Sequence, residues 1–353
     1  MQVRYTASLI TVALSVVCPH PLSGQTASPE QLDLSQEPSS SFQRCLVNIE
    51  RQAQRSGISN ATIDQNLRDF SPEPDVAAAP QSQAEFERPI WEYIDAAVSE
   101  ARVNTGQGRL AEWSALLDAI EARFGVDRHI LVAIWGIETS YGAVLDEVGV
   151  LRPVVRSLAT LACGDETRAG FWRDELVAAL HMLDQGDVTP DRMIGSWAGA
   201  MGHTQFMPTT YQRHAVDFDG DGKRDIWKSI PDALASTANY LQSLGWRSGE
   251  RWGYEVELPP GFDYLLADET TERSLSSWIG LGLRLTRDLP LGDTDQRAVL
   301  VLPAGARGPA FLILPNFKII LRYNTAMAYA LSVGHLSDRL RGAPALARST
   351  SEC

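Results

Sequence analysis

The stretch Ile130-Leu131-Val132-Ala133-Ile134-Trp135-Gly136-Ile137-Glu138-Thr139-Ser140-Tyr141-Gly142 decides the reading of this chain. Asp127 stands where an N-cap is needed, with a side-chain oxygen to accept an orphan helix N–H. Gly142 supplies a C-terminal stop. Between them Ile130, Ile134, Ile137 and Tyr141 follow one helical stripe, while Leu131, Trp135 and Glu138 follow a second. A helix apolar on all sides belongs in a protein interior, yet this one carries a carboxylate in its last turn. Burial disfavours the charged form and raises a carboxyl pKa. Glu138 is therefore placed to hold a proton near neutral pH and donate it as a general acid. The competing reading is a glutamate that pairs with an arginine or reaches solvent at the helix end.

The rest of the chain has the composition of a globular protein: 353 residues, 44% hydrophobic and 21% charged. That length buries one large core or several smaller ones. A net charge of −13 argues against nucleic acid or an anionic membrane surface as a partner. Arg4, the apolar run Leu9 to Val17 and the polar residues from Pro19 to Gln25 have the layout of a secretory signal peptide, assigned to 1–24. No later run is long enough to span a bilayer. The expected location is thus the periplasm or the exterior. Lipid attachment at Cys18 is not expected, because Ser15-Val16-Val17 lacks the small-residue pattern such processing prefers. In an oxidising compartment Cys45 and Cys163 are the expected disulfide pair, leaving Cys353 in the tail; three unpaired thiols are the alternative.

Residues 25–41 are rich in Ser, Pro, Gln and Glu and read as a disordered lead. Helical periodicity dominates 42–245. Phe42, Cys45, Leu46 and Ile49 mark one face; Trp91, Tyr93 and Ile94 open another helix; Leu110, Trp113, Leu117, Ile120 and Phe124 mark a third. Segments 169–183 and 232–244 are also helical, and the proline-containing stretch 71–82 reads as an extended crossing. After Trp246 the period becomes that of strands: Trp252, Tyr254, Val256 and Leu258 alternate, and 298–302 and 311–314 read as short buried strands. A short helix is expected near 275–283. A small β-containing unit is assigned to 246–316, a core-completing helix to 317–340 and a tail to 341–353. The fold class is α+β, mainly α.

Gly195 to Tyr211 interrupts the helical pattern with small residues that let a backbone approach a ligand. Within it, Ser196 opens a loop to Pro208 that carries Gln205, whose amide has both the donor and the acceptor that an acetamido group or sugar hydroxyl requires. Tyr240, and Tyr323 with Asn324, add aromatic faces and an amide suited to a sugar ring. Taken singly, each tyrosine is more often a core residue with a satisfied hydroxyl.

Together, Gly136 to Gly142, the Gly199-to-Pro208 loop and Arg322-Tyr323-Asn324 resemble, in order and spacing, signature segments of the MltB-type membrane-associated lytic transglycosylases. The resemblance runs from about Phe42 to Leu340. It implies a lysozyme-like helical core with a helical α domain and a small β domain. It also implies an enzyme, free of any catalytic cofactor, whose partners are peptidoglycan glycan strands. Such enzymes cleave the MurNAc–GlcNAc linkage without water and leave a 1,6-anhydro-muramoyl end. Glycoside hydrolases usually use two carboxylates, and the signature segments hold one, Glu138. In that light Glu138 acts as acid and then base, assisted by the substrate acetamido oxygen. Ser196 and Gln205 line the cleaving subsite, and Tyr240, Tyr323, Asn324 and Tyr93 contact sugar. A hydrolytic muramidase with a second acid, and a non-catalytic glycan-binding envelope protein, are the alternatives. A carboxylate in an apolar helix, costly unless used, argues against the second.

Asp217-Phe218-Asp219-Gly220-Asp221-Gly222-Lys223-Arg224-Asp225 fits the front of an EF-hand calcium loop. Asp217, Asp219 and Asp221 offer oxygens, and the Lys223 carbonyl is the next ligand. Lys228 stands where the bidentate glutamate belongs. The resemblance implies a longer loop, over 217–232, closed by Asp232, although Ser229 to Asp232 also fits a helix capping box. A structural calcium ion is the cofactor expectation, and a solvated acidic turn is the alternative.

Overall fold

Helix formation in the decisive stretch follows the predicted stripes, over Arg128–Thr139. The computed structural model describes residues 40–346 apart from 69, 80–88, 148, 288–290 and 307. The expected signal peptide, Cys18, the lead before Ser40 and the tail from 347 with Cys353 lie outside the described residues.

The described chain runs through α1 (Ser40–Arg55), α2 (Asn60–Leu67), α3 (Pro74–Ala78), α4 (Ile90–Ala97), α5 (Glu100–Glu112), α6 (Ser114–Phe124) and α7 (Arg128–Thr139). Next come α8 (Val154–Gly164), α9 (Ala169–Asp184), α10 (Pro208–His214) and α11 (Ile230–Ser243). A sheet region containing α12 (Leu275–Gly280) leads to α13 (Pro315–Tyr323) and α14 (Met327–Leu340). Two short strands, β1 (Arg152–Pro153) and β2 (Ile194–Gly195), pair antiparallel beside α8.

Every residue of α7 from Ile130 to Thr139 is buried, each large apolar side chain contributing roughly 1.5–3 kcal/mol. Asp127 caps the helix, its Oδ1 accepting the His129 N–H at 2.8 Å. The stop comes before Gly142. Ser140 adopts a left-handed backbone (φ 49°), and the Ser140 and Tyr141 N–H groups close on Gly136 and Trp135 carbonyls at 3.1 and 3.3 Å. Those bonds satisfy the last carbonyls of the helix. α7 packs chiefly against α14, with α5, α6 and α11 around it. A second helical pair, α8 against α9, carries α1 and α2 on its outside, and a disulfide ties Cys45 of α1 to Cys163 of α8.

Beyond Trp246 lies an antiparallel sheet of β3 (Gly253–Glu257), β4 (Glu272–Ser274), β5 (Arg284–Leu285), β6 (Arg297–Val301) and β7 (Ala310–Ile313), ordered β4-β6-β7-β3-β5. Period-2 alternation divides its side chains. Val299, Val301, Phe311 and Ile313 join the main core, whereas Tyr254, Ala298, Leu300 and Leu312 form a smaller cluster with Trp278 of α12. A buried ionic group fastens sheet to helix. Arg287 pairs with Glu255 at 3.2 Å and with Asp338 of α14 at 3.9 Å, and Arg251 pairs with Asp338 at 2.7 Å.

Two readings of the sequence are corrected. The segment 71–82 is not wholly extended: Pro74 begins the short helix α3, since a missing N–H costs nothing in a first turn. The single helix expected over 317–340 is two. Asn324 is extended (φ −142°, ψ 126°), and its Oδ1 accepts the Ala326 N–H at 3.0 Å. The Asn side chain thus offers the backbone a local alternative to the helical ladder.

Candidate active site

The α7 terminus places Glu138 in the interior with only 4% of its surface exposed. The Tyr329 hydroxyl, from the first turn of α14, donates to Glu138 Oε1 at 2.6 Å. Tyr323, at the end of α13, lies parallel to Tyr329 with ring centroids 6.5 Å apart and donates to the Thr204 carbonyl at 2.5 Å. Burial, and next the Glu138 charge, raise both phenols well above the usual tyrosine pKa, so both hydroxyls are donors. The break at Asn324 turns the chain between these tyrosines and lets both rings reach the α7 terminus.

The other predicted contacts come from α4, α11, the end of α13 and the small-residue loop. Tyr240, half-buried on α11, sits 5.5 Å from Tyr323 and 5.8 Å from Phe206 between centroids. Tyr93 is buried on α4. Asn324 is also buried, and one of its polar atoms supports the chain break rather than an open cleft. Ser196 likewise turns inward: its Oγ accepts the Ala200 N–H at 3.1 Å, and its own N–H donates to the Ala200 carbonyl at 2.8 Å.

Gln205, like its neighbour Thr204, is left with spare hydrogen-bonding capacity in the small-residue loop. Its backbone is left-handed (φ 53°), which is uncommon for a residue with a Cβ and typical of functional turns. Nε2 donates to the Gly202 carbonyl at 3.0 Å, whereas buried Oε1 has no hydrogen-bond partner among the described residues. Gly202 is dictated by space as well as by its φ of 67°: a Cβ there would lie 2.4 Å from the Ile226 carbonyl oxygen.

A set of contacts that the sequence does not advertise fastens this loop to the α7 terminus. Trp135 Nε1 donates to His203 Nδ1 at 3.1 Å, and Thr139 Oγ1 donates to the His203 carbonyl at 2.7 Å. The Gly142 N–H in turn donates to Thr139 Oγ1 at 3.1 Å. Burial lowers the His203 pKa to about 4, so its imidazole is neutral and Nδ1 is free to accept. No motif in the sequence singles out Tyr329 or His203. The signals for them, an aromatic in a core helix and a histidine in a glycine-rich loop, are each commonplace without the contact.

Among the described residues the other buried acids are engaged elsewhere. Glu175 accepts the Thr209 N–H and hydroxyl at 2.9 and 2.7 Å. Glu255 and Asp338 belong to the arginine group at the sheet, and Asp232 lies in the 217–232 loop.

The model of the transglycosylase SLT domain matches residues 41–338. The chain belongs to this family. It is 36% identical over 250 residues to membrane-bound lytic murein transglycosylase B of Escherichia coli, an alignment covering 69% of this chain and 64% of that protein. The chain thus spans just under two thirds of that relative's length. The structure is similar to Pseudomonas aeruginosa SltB3 in complex with NAG-NAM-pentapeptide, with TM-score 0.80 and 49% identity over 86% of this chain and 81% of that one. It is also similar to the Escherichia coli lytic transglycosylase SLT35 in complex with calcium, with TM-score 0.71 and 28% identity over 86% and 93% of the two chains. The mainly helical, lysozyme-like α+β architecture is common to this SLT-domain chain and these structures.

In this SLT-domain chain Asp217, Asp219 and Asp221 bring carboxylate oxygens within 4.8 Å of one another. Asp217 accepts the Gly220 and Gly222 N–H groups at 2.7 and 2.9 Å, and Asp221 accepts that of Lys223 at 2.8 Å. Asp232, expected to close the loop as a ligand, stands outside the group. It is fully buried and accepts the Phe218 and Asp225 N–H groups, both at 2.8 Å. Backbone donors occupy its oxygens because the loop needs an anchor at its base. Ser229 Oγ accepts the Asp232 N–H at 3.2 Å, forming the expected N-cap. Among the described residues no helix is long and apolar enough to cross a membrane.

Proposed function

We propose that this chain is a lytic transglycosylase of the cell envelope. It cleaves the β-1,4 linkage between MurNAc and GlcNAc in peptidoglycan and leaves 1,6-anhydro-MurNAc ends. The observation that carries the reading is Glu138, buried at an apolar helix end with Oε1 held by the Tyr329 hydroxyl at 2.6 Å. A carboxyl group so enclosed serves both halves of the reaction. As the acid, Glu138 gives its proton to the departing glycosidic oxygen while the acetamido oxygen of the same sugar stabilises the positive charge at C1. As the carboxylate, it takes the proton of the C6 hydroxyl as that oxygen bonds to C1. The nucleophile belongs to the substrate and has a high effective molarity, so exclusion of water selects anhydro product over hydrolysis.

One carboxylate suffices in this scheme, and the separate engagement of Glu175, Asp232, Glu255 and Asp338 is in keeping with it. Gln205 Oε1, buried without a partner, is suited to accept an acetamido N–H. Tyr240, Tyr323 and Tyr93 form the sugar-facing wall, Asn324 holds the chain turn that presents Tyr323, and Ser196 shapes the loop. A periplasmic setting is in keeping with the Cys45–Cys163 bridge.

Digestion of purified peptidoglycan with mass analysis of the products tests the reading. Anhydro ends, lighter by one water than reducing ends, are expected, and Glu138→Gln should bind glycan without cutting it. Reducing ends would mean a hydrolytic muramidase, and full activity of Glu138→Gln would remove Glu138 from the mechanism.

The 217–232 loop also fits a structural calcium ion on Asp217, Asp219, Asp221 and the Lys223 carbonyl, since three carboxylates converge there. Calorimetry with calcium should give binding heat in the native chain and none in Asp217→Ala; equal heats would leave only a solvated acidic turn.

A further inference from the structure

We propose that the cavity behind Ser140 receives the stem peptide of a peptidoglycan strand, seating a peptide carboxylate between Arg102 and Arg109. The inference rests on the proposed action on peptidoglycan and adds a substrate feature to it. The cavity, of about 620 Å³, is lined by Arg102, Thr105, Arg109, Ser140, Asp146 and His203 among others. That size lies within the roughly 300–1,000 Å³ of pockets that hold small ligands.

Three groups on its walls offer hydrogen-bond donors that the protein leaves underused. Arg102 and Arg109 are seven residues apart on α5 and so share one face, about 10 Å apart along the axis. Half-buried Arg102 donates to the Ala96 and Ala97 carbonyls at 3.0 and 2.6 Å and to Ser140 Oγ at 3.3 Å. No carboxylate pairs with it among the described residues, and a desolvated cation without an anion is costly. Arg109 pairs with Glu112 at 2.6 Å through one terminal nitrogen. Its Nε has no partner, and its guanidinium lies 5.7 Å from the Trp135 ring centroid. His203 accepts from Trp135 through Nδ1, which puts its proton on Nε2. Among the described residues no acceptor meets that N–H.

The same lining carries Asp146, exposed and outside any ion pair among the described residues. Guanidinium groups and a carboxylate lining one cavity suit a zwitterionic ligand. A neutral sugar brings no charge to answer Arg102, and a polyanion would meet Asp146. A stem peptide supplies carboxylates for the arginines and nitrogen donors for Asp146. Ser140 follows Glu138 by two residues, so the cavity adjoins the α7 terminus that carries the carboxyl group, and a peptide held there would supply remote binding energy to the reaction.

The test is calorimetry on the full chain carrying Glu138→Gln, with NAG-NAM-pentapeptide and peptide-free NAG-NAM as probes. The pentapeptide-bearing probe should bind about tenfold or more tightly, as charge-assisted contacts allow. Thr105→Glu, at an exposed helical position facing the cavity, and Arg109→Gln should each erase most of that preference while leaving peptide-free binding within about twofold. Arg102→Lys, which keeps the charge, should retain part of it, and circular dichroism checks that each variant is folded. Equal affinity for the two probes, or a preference that survives both Thr105→Glu and Arg109→Gln, overturns the inference. Failure of the native chain to cut peptidoglycan would strike the proposed function instead, because this readout is binding alone.

Discussion

The hydroxyl of Tyr329 donates to Glu138 Oε1 at 2.6 Å across 191 residues of chain. Both partners are buried, and the high pKa of the phenol keeps it a donor. The contact holds one carboxyl oxygen at a set position while the helix end shields it from bulk water. A fixed carboxyl is what proton transfer to and from a bound sugar needs.

Tyr329→Phe should therefore reduce kcat on peptidoglycan by about 10- to 100-fold with little change in KM. Stability should fall by only about 1–2 kcal/mol, the cost of leaving a buried acceptor short of a donor. Kinetics and denaturant unfolding on the same variant check both parts. An unchanged kcat would show that the hydrogen bond has no part in catalysis.

Gly142 is constrained twice. Its φ is 91°, and an added Cβ would lie 2.6 Å from His203 Cε1 and 2.8 Å from its Nδ1. Gly142→Ala should cost about 2–4 kcal/mol through backbone strain and displacement of the His203 ring. Gly149→Ala is the control, since φ there is 83° with nothing within 4 Å of the new Cβ. It should cost about 1 kcal/mol. Equal losses in urea unfolding would show that the His203 ring yields freely.

The imidazole of His203 gives a pH dependence with a definite sign. Burial lowers its pKa from 6.5 to about 4 in the folded chain. As pH falls from about 6.5 towards 4, the unfolded state takes up the proton and the folded state does not, so stability is lost across that window. Each unit is worth about 1.4 kcal/mol, or roughly 3 kcal/mol for this shift. The advantage of the native chain over His203→Gln should be largest at pH 7 and shrink by pH 4.5, read from denaturant melts. An advantage independent of pH would mean that His203 titrates normally.

The Cys45–Cys163 bridge closes a loop with a sequence separation of 118. Removing its constraint on the unfolded chain should cost up to about 5 kcal/mol. The double variant Cys45→Ser with Cys163→Ser should therefore show a clearly lower Tm, and the native chain should show the same drop when reduced. A Tm unmoved by either change would mean that packing of α1 on α8 and α9 alone holds that face.

The features legible in the amino-acid sequence are local in origin. The stripes of α7, its Asp127 cap, the change to period 2 after Trp246 and the acidic loop at Asp217 follow from side-chain chemistry within a few residues. The motifs around Glu138, Gln205 and Tyr323 are legible for the same reason. Tertiary structure alone decided which groups meet. It broke the last helix at Asn324, spent the Ser196 hydroxyl and the Asp232 carboxylate on backbone amides, and brought Tyr329 to Glu138 and His203 to Trp135. Local propensity carries no record of such partners. They are selected by the cost of leaving buried polar groups without a mate, and that depends on how distant helices pack.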